Sequence, residues 1–460
     1  MLEATHRGAP RRIFSPAGLL ITGFIFLSGI GGLVLALPIA NNEGVYTSLD
    51  LAYFTAISAV TVTGHTVLST STYWSNFGQV VIFLLMLVGG LGFMVLATFL
   101  LLLLGGRSTL QERLLMRGLM QDTVGVGHLR ELRRVGRTVV LVVFLIYGLG
   151  TIGIFFQVRG LDGIGLGEGI WQSLFLSVSS FNNAGFNILP ELPEGSSLAR
   201  FATDPLFLLI PTVLMMIGGL GWLILVDIYR RRRFSRFNLN TKLVISTSLF
   251  LWVFGAGFLL LGEFANPNTL GGLEWYEKFA NAVFGSVSGR TAGFATIDFG
   301  QVADPTKLTF TVLMFIGGGA GSVAGGIKVA TFGIIVAAVI SALRGRSDVE
   351  AFGRTLHPVQ FYRAIAVVVV GVGLIIIVVP ILTITDPEIP FLHLLFDTVS
   401  AFGTTGASTG IVPELSLAGK CIFMAAMLIG RLGPVAFALM VAESDSESTY
   451  RFLRERVEIA

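Results

Sequence analysis

Residues 78–106 carry no ionisable side chain, and neither do residues 364–385. Each run exceeds the roughly 20 apolar residues that cross a bilayer as a helix. Inside hydrocarbon every backbone polar group must be satisfied within the segment, so such runs fold as helices. Charged residues make up 13% of the 460-residue chain, against about 25% in soluble domains. The sequence therefore reads as an all-α polytopic membrane protein. Its longest polar segment, 105–137, is basic and too short to carry a core of its own.

The formal charge of +3 is no nucleic-acid signature, because most of the 31 Lys and Arg fall in five segments: before residue 13, 107–137, 230–242, 344–363 and 451–456. Between them lie acidic stretches such as Asn41-Asn42-Glu43, Pro190-Glu191-Leu192-Pro193-Glu194 and Asp386-Pro387-Glu388. That alternation is the positive-inside pattern. It places both termini and three basic loops in the cytoplasm of a plasma (inner) membrane protein, with lipid headgroups as their first partners. The single cysteine, Cys421, excludes a disulfide framework. Arg7, Arg11 and Arg12 followed by an apolar stretch resemble a signal peptide, but the stretch has the length of a span. It is read as a retained first helix.

Internal repetition organises the rest. Four short motifs recur: Thr61-Val62-Thr63-Gly64-His65, Asn183-Ala184-Gly185-Phe186, Arg290-Thr291-Ala292-Gly293-Phe294 and Thr404-Thr405-Gly406-Ala407. Each follows a Ser- and Phe-rich stretch too short to span (53–60, 171–181, 279–288, 391–402), which suits a re-entrant half-helix. A spanning run precedes each (16–38, 138–158, 243–262, 364–385) and another follows (77–104, 205–228, 308–341, 418–442). The expected architecture is eight spanning helices and four pore loops around a pseudo-fourfold axis. Its units are 1–106, 107–232, 233–346 (with an intramembrane loop) and 347–442, followed by a cytoplasmic tail, 443–460.

Irregular backbone at membrane depth must be buried in protein or line water, and four loops surrounding an axis meet that condition. Glycine leaves no side chain in the way, so carbonyl oxygens can turn inward and replace the water shell of a cation. The half-helices would point their negative C-terminal ends at the same place. The expected ion-binding residues are Thr61, Val62, Thr63, Gly64, Asn183, Ala184, Gly185, Thr291, Ala292, Gly293, Thr404, Thr405 and Gly406, the threonines holding the loops in shape. Gly89-Gly90 and Gly218-Gly219 read as helix-packing glycines. No catalytic residue and no resident metal site are expected. The five histidines are scattered, and there is no His-Glu-x-x-His.

The third unit departs from the others after its motif. Gly317, Gly318, Gly319, Gly321, Gly325 and Gly326, with Ser322 among them, lie within ten residues and precede Lys328. Each glycine costs about 1 kcal/mol relative to Ala in a helix, so this part of the span is expected to unwind into a flexible plug. A phosphate-binding Walker loop is excluded, because Ile327 separates Gly326 from Lys328 and no Ser or Thr follows. Lys328 reads as part of this gate or as a cytoplasm-facing anchor. Arg431, within the last span, reads as a barrier to cations or as a partner of a carboxylate or of loop carbonyls. Asp397 reads as a support for the fourth loop or a counter-charge for Arg290 or Arg431, and His65 as a satisfied surface histidine or as one facing the outer mouth, where protonation would add a repelling charge.

Thr-Val-Thr-Gly, Asn-Asn-Ala-Gly-Phe, Arg-Thr-Ala-Gly-Phe and Ser-Ala-Phe-Gly-Thr-Thr-Gly closely resemble the four filter signatures of the Trk/Ktr/HKT superfamily of potassium transporters. The resemblance covers residues 14–442. It is nearest to the KtrB-like subgroup, since one span precedes the first motif. It implies K⁺ uptake, with Na⁺ as a candidate activator or coupled ion, and a homodimer. It also implies a KtrA/TrkA-like cytoplasmic ring that binds ATP, ADP or NAD(H), this chain carrying no cofactor itself. An intramembrane gating loop and an arginine beside it belong to the same pattern. In plant relatives Ser replaces the first filter glycine in sodium transport; Gly64 stands there in this chain. The alternative is a cation symporter with alternating access, which usually shows inverted repeats, whereas these four share one orientation.

Overall fold

A computed structural model describes residues 16–104, 129–159, 164–189 and 197–433. The N-terminal arginines, most of the basic loop 107–137, the acidic stretch 190–194 and the tail 443–460 lie outside the described residues. The described chain forms fourteen α-helices. They are α1 (Pro16–Leu35), α2 (Leu49–Thr61), α3 (Asn76–Leu104), α4 (Leu129–Val158), α5 (Leu166–Asn182), α6 (Pro205–Leu220) and α7 (Trp222–Arg231), then α8 (Leu239–Glu263), α9 (Trp275–Thr291), α10 (Asp304–Phe315), α11 (Val329–Leu343), α12 (Pro358–Thr385), α13 (Phe391–Gly403) and α14 (Leu417–Leu432). A two-stranded hairpin, Glu350–Ala351 against Arg354–Thr355, sits in the basic loop between α11 and α12 and is a small departure from the all-α expectation.

Three described helices are long and apolar enough by themselves to cross a bilayer: Arg137–Val158, Leu239–Glu263 and Pro358–Thr385. A bent pair, Pro205–Leu220 with Ile224–Arg231, would make a fourth. The sequence pattern predicted one continuous span over 205–228. Instead the chain turns by 95° there, at Gly221, whose φ of 89° no ordinary helix accommodates. The expected span 308–341 is likewise interrupted, into α10 and α11, with the glycine-rich segment between them. Long helices start where capping favours it. Pro358 occupies the first turn of α12, and the His357 ring accepts the Val359 amide at 3.3 Å.

In every unit the short, polar helix (α2, α5, α9, α13) packs between the two flanking apolar ones. Those four helices begin earlier than the expected half-helices, except α13. In α9 the extension is set by a capping box, in which the Glu277 carboxylate accepts the Glu274 amide at 2.8 Å. The units also engage one another in order. α3 packs on α5, α6 on α9, α10 on α13, and α14 returns to α2. The second apolar helix of each unit therefore covers the short helix of the next, and the series closes on itself. The interior this encloses mixes buried polar side chains with apolar ones. Ser173, Ser177, Ser179, Ser180, Asn281, Ser288, Asp397 and Ser400 are buried, whereas Phe156, Leu261 and Ile384 are exposed on the flanking helices. Apolar outside and hydroxyl-rich inside is the partition a bilayer imposes on helices that enclose a polar axis.

Candidate functional site

The C-terminal ends of the short helices deliver the four motifs to one place. Val62, Asn183 and Thr404 cap α2, α5 and α13 in the left-handed conformation, with φ of 57°, 55° and 50°. The third unit differs: α9 continues to Thr291 and its cap, Ala292, has φ −127°. In the first three units a buried serine pins the turn that follows. Gly64 N donates to Ser58 Oγ at 3.1 Å, Ser179 Oγ to the Phe186 carbonyl at 2.7 Å, and Ser288 Oγ to the Phe294 carbonyl at 2.6 Å. The corresponding Ser400 Oγ has no partner among the described residues. These serines were visible in sequence only as composition; their place five or six residues before each glycine was the available signal.

Gly64, Gly185, Gly293 and Gly406 have φ of 88°, 73°, 75° and 85°. A Cβ at Gly64 would fall on the Ala184 carbonyl oxygen, one at Gly185 on that of Ala292, one at Gly293 on that of Thr405, and one at Gly406 on that of Thr63. Each glycine thus abuts the carbonyl of the residue before the next glycine, and the fourth meets the first. The sequence-predicted residues of all four units are brought together. Their hydroxyls brace the backbone: Thr61 Oγ1 donates to the Ile57 carbonyl at 2.7 Å and lies 2.7 Å from Thr63 Oγ1. Thr405 Oγ1 donates to the Arg290 carbonyl at 3.2 Å, and the Asn183 amide lies 3.2 Å from Thr291 Oγ1.

On one side the four glycines line a cavity of about 380 Å³ that also touches His65, Asn187, Ser197, Asp298 and Ser408. His65 is not on the surface as the sequence reading expected. It is 1% exposed, neither ring nitrogen has a partner among the described residues, and its ring meets Phe423 edge-on at 5.9 Å. Asp397 lies behind this cavity, where it accepts Ser408 Oγ at 2.6 Å and Thr409 N at 2.9 Å. It therefore holds the chain beyond Gly406, and it is not the counter-charge of Arg290, whose guanidinium lies 5.2 Å from the Trp252 ring centroid.

On the other side lies the glycine-rich segment, whose hydrogen bonds to other units come from the second and the fourth. Gly325 N donates to Thr404 Oγ1 at 3.1 Å, Gly319 N to the Gly219 carbonyl at 2.8 Å, and Gly326 N to the Gly430 carbonyl at 3.2 Å. Within the segment Gly317 N donates to the Ile327 carbonyl at 2.8 Å, and Val329 N to that of Gly318 at 3.0 Å. Ser322 Oγ accepts Ala324 N at 3.3 Å, while Gly321 packs on the bend at Gly221. Lys328 Nζ folds back onto the Ala324 carbonyl at 2.6 Å. Arg431 donates to the carbonyls of Val323, in the segment, and of Gly89, in α3, and among the described residues it pairs with no carboxylate.

A chain with this arrangement matches, over residues 5–450, the family described as TrkH, cation transport protein. The chain belongs to that family. As a TrkH-family member it is a cation transporter embedded in a membrane, not an enzyme. It is 38% identical to the "Ktr system potassium uptake protein B" of Bacillus subtilis, over 95% of each chain. It is 33% identical to the "Potassium/sodium uptake protein NtpJ" of Enterococcus hirae, over 97% of this chain and 98% of that one. The fold matches the crystal structure of the potassium transporter TrkH from Vibrio parahaemolyticus with a TM-score of 0.71, covering 96% of this chain and 87% of that one at 17% identity.

Proposed function

We propose that this transporter takes up K⁺ through a selectivity filter made of the backbone at Thr61–Gly64, Asn183–Gly185, Thr291–Gly293 and Thr404–Gly406. The observation that carries the reading is the closed order of contacts among the four glycines. A ring of backbone carbonyls suits a dehydrated monovalent cation, and the relatives named for potassium uptake are similar along nearly the whole chain. Eight spans enclose the path, with the irregular ends of α2, α5, α9 and α13 as pore loops. The segment from Gly317 to Lys328, held by Arg431, is the gate beneath them.

The conducting unit is a homodimer in the plasma membrane, with both termini in the cytoplasm. A separate cytoplasmic ring protein that binds ATP, ADP or NAD(H) opens the gate. Arg344, before the hairpin, and Arg354, within it, are exposed and available to it, whereas Arg346 pairs with Glu350 inside its own loop. Na⁺ is the candidate activator or coupled ion, in keeping with the name of the Enterococcus hirae relative. The test is Rb⁺ uptake into proteoliposomes with and without an inward Na⁺ gradient. Saturable Rb⁺ uptake that K⁺ competes away is expected, and uptake of Na⁺ alone, indifferent to K⁺, would contradict the reading.

A further inference from the structure

Three glycines outside the motifs occupy equivalent places in the ring. A Cβ at Gly89 on α3 would strike the carbonyl of Val60, one at Gly218 on α6 that of Phe181, and one at Gly430 on α14 that of Phe402. Val60, Phe181 and Phe402 are each two residues before the left-handed cap of their short helix. The caps satisfy the carbonyls of Ser58 and Ala59, of Ser179 and Ser180, and of Ser400 and Ala401. The next carbonyl along is in each case the one met by the glycine. In every one of these units, then, the second apolar helix supports the last turn of the short helix through a glycine Cα.

The third unit breaks the pattern in a way that supports its meaning. Its apolar helix, α10, ends at Phe315 and the following glycines belong to the unwound segment, with Gly317 packed on Gly325 and Gly318 on Gly219. There the Arg290 carbonyl is met by the hydroxyl of Thr405 from the fourth unit. Where the helix is given over to the loop, the backbone support comes from a neighbouring motif.

We propose that Gly89, Gly218 and Gly430 are positioning residues for cation discrimination, setting the depth at which α2, α5 and α13 deliver the filter backbone. The inference rests on the reading of the glycine ring as the filter. The contacted atoms are backbone, so an added methyl cannot be accommodated by a rotamer change, and the short helix itself must move. A carbonyl ring discriminates between cations of similar charge by the number and placement of its oxygens, so such a shift alters preference more than it alters throughput. Alanine favours helix over glycine by about 1 kcal/mol, so local helix propensity does not penalise these substitutions.

The experiment is Rb⁺ uptake by the full-length protein in proteoliposomes, with the K⁺ and Na⁺ concentrations that halve it measured for each variant. Gly89→Ala, Gly218→Ala and Gly430→Ala are compared with Gly148→Ala, Gly257→Ala and Gly373→Ala, whose added methyls would meet nothing within 4 Å. Gly64→Ala serves as a direct probe of the filter. The expected result is a several-fold fall in the Na⁺/K⁺ ratio in at least two of the first three, with the second three unchanged. An unchanged ratio in the first three, with a lowered ratio in Gly64→Ala, overturns this inference alone. An unchanged ratio in Gly64→Ala overturns the filter reading. Failure of all three to yield folded dimer, while the second three fold, assigns these glycines to helix assembly and also overturns the inference.

Discussion

The hydroxyl of Thr404 accepts a hydrogen bond from the Gly325 amide at 3.1 Å. One residue of the fourth motif thus joins the glycine ring to the glycine-rich segment below it, so under the proposed function a displacement of that segment reaches the motif backbone. Thr404→Val keeps the shape and removes the acceptor. A backbone amide left without its partner in a buried setting costs about 1–3 kcal/mol, which weakens the closed arrangement of the loop. Rb⁺ uptake without any cytoplasmic partner is expected to rise in Thr404→Val and to stay at its original level in Thr404→Ser. Equal uptake by the two variants would show that this bond does not hold the loop.

Glu263, at the end of α8 and fully buried, ties together the chain around the third unit. Its carboxylate accepts Thr306 Oγ1 at 2.6 Å, Ala303 N at 3.0 Å, Asn266 Nδ2 at 2.6 Å and Thr269 Oγ1 at 3.0 Å. Glu263→Ala strands four donors, with a cost on the order of 1–3 kcal/mol for each that stays buried and unpaired. The melting temperature of the detergent-purified protein should fall clearly in Glu263→Ala, and less in Glu263→Gln, which keeps one accepting oxygen. The K⁺ preference of whatever folds should not change. A melting temperature equal to that of the unsubstituted protein would contradict the assignment.

Among the described residues, Asp298 is the one carboxylate lining the cavity above the ring. A single charge in a cleft with low-dielectric walls concentrates counter-ions there, and salt screens the effect. Asp298→Asn should raise the Rb⁺ concentration for half-maximal uptake at low ionic strength and leave the maximal rate nearly unchanged. The difference should shrink as an impermeant salt is added. Glu388→Gln, an exposed acidic position outside that cavity, should have little effect. A difference that persists undiminished at high salt would point to a cause other than electrostatic attraction.

Much of this arrangement was legible in the sequence because the membrane leaves few choices. Uncharged runs and the placement of arginines gave the class, and the recurrence of glycines 64, 185, 293 and 406 gave the residues that meet. The unwinding after Phe315 followed from the density of glycines alone. The bend at Gly221 did not, because a glycine pair within an apolar run looks the same whether it packs or breaks a helix. The surface reading of His65 failed for a similar reason: a polar residue beside a glycine looks exposed, but here the residue is buried at the edge of the cavity with its ring against Phe423. For Arg431 the sequence left loop carbonyls and a carboxylate both open, since backbone carbonyls of residues 89 and 323 leave no trace in side-chain chemistry.

The central claim is that the four motif glycines form one cation-selective ring. It is tested most directly by the concentrations of K⁺ and Na⁺ that halve Rb⁺ uptake in Gly64→Ser, Gly185→Ser, Gly293→Ser and Gly406→Ser, each in otherwise intact protein. Because each glycine abuts the backbone of its neighbour, all four substitutions should weaken the preference for K⁺ over Na⁺, whichever unit carries them. A preference that survives in any two of the four, in protein that still folds and transports Rb⁺, would contradict a shared ring.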